Sequence, residues 1–151
     1  MPEVSLEQIR SLREKTGLSM AEVKRALTKT GGDEAKALEA LAARGGDIAA
    51  RKAGRELKAG IVDAYVHSNR QTGAIVELRC ETDFVARTDE FVALAHDIAM
   101  HVTAMKPSSV KELLEQPFIK NPEQTIGALL ISAIAKIGEN IQLERFQTFN
   151  I

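Results

Sequence analysis

At Thr82 the hydrophobic period of this chain changes from two to three-and-four, so the residues around it must join two different kinds of element. Ala74, Val76, Leu78 and Cys80 alternate, while Glu77, Arg79 and Glu81 take the opposite face, as a half-buried strand requires. The alternation stops at Thr82, and Phe84 and Val85 follow among polar neighbours. Thr88 then opens a helix by offering its hydroxyl to the backbone donors of Asp89, Glu90 and Phe91. Glu77 to Arg87 is therefore a strand followed by a short connection into a helix. An aromatic beside an acid on such a connection either plugs into the core below it or is presented to a partner.

The elements on either side follow from the same arguments. Ile61 to His67 is rich in β-branched residues, and the polar stretch Ser68 to Thr72 with Gly73 joins it to Ala74–Cys80, which predicts an antiparallel hairpin. The helix from Thr88 runs to about Met105 with Phe91, Leu94, Ile98, Val102 and Met105 on one stripe, and Pro107 ends it. Ser109 and Glu112 cap a short helix before Pro117. Asn121, Pro122 and Gln124 predict the start of a last helix, with Ile126, Leu129, Leu130, Ala133, Ile134 and Ile137 on its apolar side and Gly138 at its end. Ile141 to Ile151 reads as a third strand. Ile141 and Leu143 lie on one phase and Phe146 on the other, which calls for a bulge or for burial on both faces.

Before residue 46 the pattern is helical throughout. Ser5 with Gln8 forms a capping box, Val4 and Ile9 staple it, and Leu6, Ile9 and Leu12 form the buried stripe up to Gly17. Ser19 with Glu22 repeats the device, stapled by Leu18 and Val23, with Val23, Ala26 and Leu27 facing inward. Asp33 starts a third helix whose stripe is Ala37, Leu38 and Leu41, with Gly45 as its stop. The fold class is thus α+β: an N-terminal three-helix bundle over 1–45, a basic linker over 46–60, and a small antiparallel sheet with helices packed on one face over 61–151. A bundle of about 45 residues has a marginal core by itself and suits a docking module.

Composition narrows the chemistry. Twenty basic and 21 acidic residues leave a net charge of −1, and there is no Trp and one Tyr, so neither a nucleic acid nor an anionic membrane is the expected partner. The single cysteine, Cys80, excludes an internal disulfide. No apolar run reaches membrane length and Met1-Pro2-Glu3 begins no secretory signal, so a cytoplasmic protein is expected. No phosphate-cradling glycine motif occurs. His96 and His101, five residues apart, are turned roughly 140° from each other on a helix and read as surface or helix-end histidines, not as metal ligands. Cys80 has no base beside it in sequence, and Glu81 with Asp83 lacks the further oxygens that a hard cation needs. The expectation is no catalytic residue, no metal and no cofactor.

Several segments together resemble one family. Leu12-Arg13-Glu14-Lys15-Thr16-Gly17, Met20 with Lys24-Arg25-Ala26-Leu27, Cys80-Glu81-Thr82-Asp83-Phe84-Val85-Ala86-Arg87, Leu114-Glu115-Gln116-Pro117-Phe118 and Ala135-Lys136-Ile137-Gly138-Glu139-Asn140-Ile141 resemble elongation factor Ts, and they stand in that family's order. The resemblance implies a guanine-nucleotide exchange factor whose partner is the GDP-bound form of elongation factor Tu, with a ubiquitin-associated (UBA-like) N-terminal module. It implies that Asp83 and Phe84 are pressed between helices of the GTPase, displacing its magnesium site and loosening its phosphate-binding loop. Thr82 and Val85 would shape that loop, and Arg13, Met20 and Lys24 would dock the N-terminal module on another face.

Two departures stand out. The second methionine common after Met20 is Ala21 here, and the family's longer segment after Met105 is reduced to Lys106-Pro107-Ser108-Ser109. The shortening implies either that less partner surface is bound or that surface is recovered by pairing with a second copy through the sheet, as in short members of the family, which makes a homodimer the second of two expectations. Two other readings compete: a UBA-like adaptor without exchange activity, which leaves the Thr82–Val85 segment unexplained, and a thiol or metal hydrolase built on Cys80, Glu81, Asp83 and His67.

Overall fold

A computed structural model describes residues 3–151, and the chain divides into two compact units. The first holds the residues up to Ala53 together with Ile131–Gly138; the second holds Gly54–Leu130 and Glu139–Ile151.

In the first unit α1 (Leu6–Thr16), α2 (Met20–Lys29) and α3 (Glu34–Lys52) surround a core of Ile9, Leu12, Leu18, Val23, Leu27, Ala37 and Leu41. Each start is fixed locally. The Ser5 hydroxyl accepts from the Gln8 amide while the Gln8 side chain takes the Ser5 amide, and Ser19 and Asp33 accept from Glu22 and Lys36. Gly17 closes α1 in the left-handed conformation that a side chain would resist. Four expectations change. Leu6 and Leu38 lie off the buried stripes and are 64% and 36% exposed. The Glu22 carboxylate binds Arg44 at 2.9 Å, so only the Ser19 half of the second box forms. Finally, α3 runs through Gly45 and Gly46 to Lys52. Neither glycine adopts the left-handed φ that ends a helix, and a β-carbon at buried Gly45 would meet Ile131 and Ala135 at van der Waals distance.

The second unit is built on β1 (Ala59–Val66), β2 (Thr72–Cys80) and, from the far end of the chain, β5 (Ile141–Asn150), with β2 in the centre and both pairings antiparallel. The single turn α4 (Asp83–Ala86) follows β2, then come α5 (Asp89–Met105) and α6 (Val110–Glu115). The two-stranded ribbon β3 (Pro117–Phe118) and β4 (Asn121–Thr125) leads into α7 (Ile126–Ile137), whose first residues belong to this unit. The β2–β5 register slips where Glu77 faces Arg145 and Leu78 faces Leu143, so Glu144 is the bulged residue that the change of phase called for.

The inner face of β2, Ala74, Val76, Leu78 and Cys80, is buried, and α5 lies across β1 and β2 with Phe91, Leu94, Ile98 and Val102 inward. Met105, at the end of that stripe, is 45% exposed. Asn121 does not start a helix. It pairs with Phe118 across a tight turn, Pro122 sits on the edge of the ribbon, and the hydroxyl of Thr125 takes the Ala128 amide at the start of α7. His101 is fully buried instead of lying at the surface.

Candidate functional site

The connection between β2 and α5 is a single helical turn capped at its start and pinned from below. Thr82, at φ −129° and ψ 150°, accepts the Val85 amide on its hydroxyl at 3.3 Å. Val85 and Ala86 are 8% and 4% exposed, whereas Phe84 is 84% exposed. The sequence left two fates open for the aromatic, and the structure presents it to solvent, flanked by exposed Asp83 and Arg87. Val85 is the residue that plugs downward. Such an aromatic is unusual on a soluble surface unless something covers it.

One residue that sequence reasoning noted only within a motif shapes this turn. Glu139 accepts the Glu81 and Thr82 amides on Oε1, each at 3.1 Å, and the Thr82 hydroxyl on Oε2 at 2.8 Å. Glu81 answers by accepting the Asn140 amide at 2.8 Å, and its other oxygen lies 3.7 Å from Arg55. The Asn140 side chain donates in turn to the Arg55 carbonyl at 2.9 Å. The partners lie 57 to 59 residues apart along the chain, so no local pattern could have revealed them. The Gly138-Glu139-Asn140 turn is the available signal: a left-handed glycine ending a helix beside an acid.

The rest of the neighbourhood supplies little reactivity. The Cys80 thiol is buried and donates to the Thr82 carbonyl at 3.3 Å; burial first, and then the Glu139 carboxylate, push its pKa up. A buried thiol whose pKa is pushed up is a poor nucleophile, which weighs against the thiol-hydrolase reading. Glu81 is occupied by backbone and arginine, and the His67 Nδ1 lies 3.2 Å from the Tyr65 hydroxyl. Among the described residues no cluster of His, Cys, Asp and Glu could hold a metal ion.

The remaining sequence-derived candidates lie on the helical unit. Met20 and Lys24 stand one turn apart on α2 and Arg13 lies in the last turn of α1; all three are exposed, Met20 by 41%. The bundle core closes without Met20.

Comparison with known proteins shows relatives over nearly the whole chain. A family model described as Elongation factor TS matches residues 81–151, starting at the residue before the Thr82 cap. Elongation factor Ts of Carboxydothermus hydrogenoformans is 39% identical over 193 aligned positions, covering 98% of this chain and 89% of that protein. The elongation factor Ts of Heliobacterium modesticaldum is 38% identical, with 98% and 90% covered, and that of Fervidobacterium nodosum is 39% identical, with 99% and 98% covered. These alignments are longer than the 151 residues of this chain, so the relatives carry residues that it lacks.

Proposed function

This chain belongs to the elongation factor Ts family of translation factors, and on that premise we propose that it is the guanine-nucleotide exchange factor for elongation factor Tu, with the Asp83–Phe84 turn as its lever. The observation that carries the proposal is the exposure of Phe84 at the tip of a capped turn whose next two residues are buried. Burying such a side chain is worth about 1.5–3 kcal/mol. That gain is made only where the partner opens to receive the ring, so it favours the state of the GTPase in which the nucleotide is loosely held.

An exchange factor needs no covalent step. It speeds release by binding the nucleotide-poor state more tightly than the GDP-bound state, and linkage requires GDP to weaken its binding by the same factor. Asp83, beside the ring, would oppose the magnesium-bound phosphates on entry and so add to their displacement. Thr82 and Val85 hold the turn. Arg13, Met20 and Lys24 make the helical unit a UBA-like docking module, where Met20 supplies apolar area and the two bases orient an acidic surface.

The outer face of the sheet favours a second copy as a further partner. Val62, Val66, Ile75 and Phe149 are exposed by 67%, 66%, 43% and 57%, and they stand on neighbouring strands. No helix among the described residues is long and apolar enough to cross a membrane, and a factor acting on elongation factor Tu in translation would work in the cytoplasm.

The deciding measurement is stopped-flow release of a fluorescent GDP from elongation factor Tu with magnesium present. Wild type accelerates release, and Phe84→Ala loses most of the acceleration while keeping its fold. If Phe84→Ala were as active as wild type, the lever would lie elsewhere.

A further inference from the structure

We infer that Glu139 is a positioning residue for exchange, setting the conformation in which Phe84 is presented. The inference rests on the exchange reading above and concerns a residue remote in sequence from the turn. A helix of four residues does not persist unaided, because nucleation costs more than so few hydrogen bonds return. Something outside α4 must therefore hold it. Val85 and Ala86 anchor its inner side, but they do not fix where the turn begins.

Glu139 does. Its Oε1 holds two successive amides, those of Glu81 and Thr82, and so fixes the peptide planes that lead into the turn. Its Oε2 receives the only proton of the Thr82 hydroxyl at 2.8 Å, which leaves the hydroxyl lone pairs for the Val85 amide at 3.3 Å. One carboxylate thereby orients the cap that orients the helix carrying Phe84. Bonds to an ionised acceptor are about twice as strong as neutral ones, and half-buried Glu139 is itself located by the amide of its neighbour Asn140, which Glu81 binds. Glu139 thus holds the Glu81 backbone, and Glu81 holds the amide that follows Glu139.

The test measures GDP release from elongation factor Tu over a range of concentrations of wild type, Glu139→Ala, Glu139→Gln, Phe84→Ala and the Glu139→Ala/Phe84→Ala double variant. Amide hydrogen exchange over residues 81–87 is followed on the same proteins without the partner, with melting curves as a check on folding. Glu139→Ala should lower the maximal acceleration about tenfold, the scale of one charge-assisted hydrogen bond, with a smaller change in the half-saturating concentration. Glu139→Gln keeps an acceptor for the two amides and should recover part of the loss; it carries the test if Glu139→Ala unfolds. In the Phe84→Ala background the change at Glu139 should cost nothing more, because the side chain it positions is gone.

The amides of Glu81, Thr82 and Val85 should lose protection while those of α5 keep theirs. An equal loss with and without Phe84, or unchanged protection at 81–85 in Glu139→Ala while wild type remains active, overturns the inference and leaves the exchange reading standing. A wild type that leaves GDP release unchanged overturns the exchange reading itself.

Discussion

The turns that open α4 and α5 are spelled almost alike, Thr82-Asp83-Phe84-Val85 and Thr88-Asp89-Glu90-Phe91, yet they send their aromatics in opposite directions. In each, a threonine hydroxyl takes the amide three residues on at 3.3 Å, and the residue bearing that amide is buried. In α5 that third position is Phe91, which is 0% exposed; in α4 it is Val85, and the phenylalanine stands one residue earlier, 84% exposed. One residue on a helix is a rotation of about 100°. The same capping chemistry therefore builds a core from one phenylalanine and a contact surface from the other, and the glutamate inserted at position 90 separates the two outcomes.

Alanine at each phenylalanine should pull the two apart most strongly. Phe91→Ala removes a fully buried ring beneath the sheet and should cost about 3–5 kcal/mol of unfolding free energy, read by urea denaturation. Phe84→Ala should change stability by no more than about 0.5 kcal/mol, as surface substitutions do, yet lower GDP release from elongation factor Tu by about thirtyfold, corresponding to an interface anchor of roughly 2 kcal/mol. If both variants lost stability, the exposed ring would be making a contact within the folded protein and the contrast between the turns would collapse.

The two caps offer a smaller and sharper comparison. Thr88→Ala should lower stability by about 1 kcal/mol, because it strips the first turn of a 17-residue helix on which the core depends. Thr82→Ala should show most of its effect in exchange, since only Val85 and Ala86 of the four residues it caps are buried, against eight buried residues in α5. Thermal melts beside GDP-release kinetics separate the two. A melt lowered more by Thr82→Ala than by Thr88→Ala would show that α4 contributes to the fold as much as α5 does.

What the sequence disclosed and what it hid divide along the range of the interactions. Ser5 with Gln8, Asp33 and Thr88 act within three residues, and they could be read directly. So could the hairpin and the break in the period of two after Leu143, which leaves a bulge or two-sided burial open and which the fold resolves as the bulge at Glu144. Gly45 misled because a glycine ends a helix only when it turns left-handed, and Gly45 is buried within α3 without doing so. Glu22 misled because Arg44, 22 residues away, competes for its carboxylate. The candidate site shows the same division. Thr82 and Val85 are local, and Glu139 reaches the turn only through the fold.

His101 carries the weakest predicted effect and the clearest sign. Its Nδ1 accepts the Ile119 amide at 3.3 Å, which leaves Nε2 as the protonated nitrogen, donating to Gln116 Oε1 at 3.0 Å. Both partners are thus satisfied by the neutral ring. Burial lowers its pKa below the ordinary 6.5, and the Gln116 bond offsets part of that shift. A histidine whose folded pKa is depressed binds protons more readily when unfolded. Its contribution to stability is therefore full above about pH 6.5 and declines as pH falls from there through the folded value. Urea midpoints measured between neutral and mildly acidic pH should fall for wild type, and less steeply for His101→Gln, which keeps a polar side chain but does not titrate. The turn at Thr82 is held by the Glu139 carboxylate and not by a histidine, so the presentation of Phe84, read by amide protection at 81–87, should be unmoved over the pH range in which the far end of α5 loosens. A simultaneous loss of protection in both regions would mean that the two helices open as one unit, and that the independence inferred from their opposite aromatics does not extend to their stability.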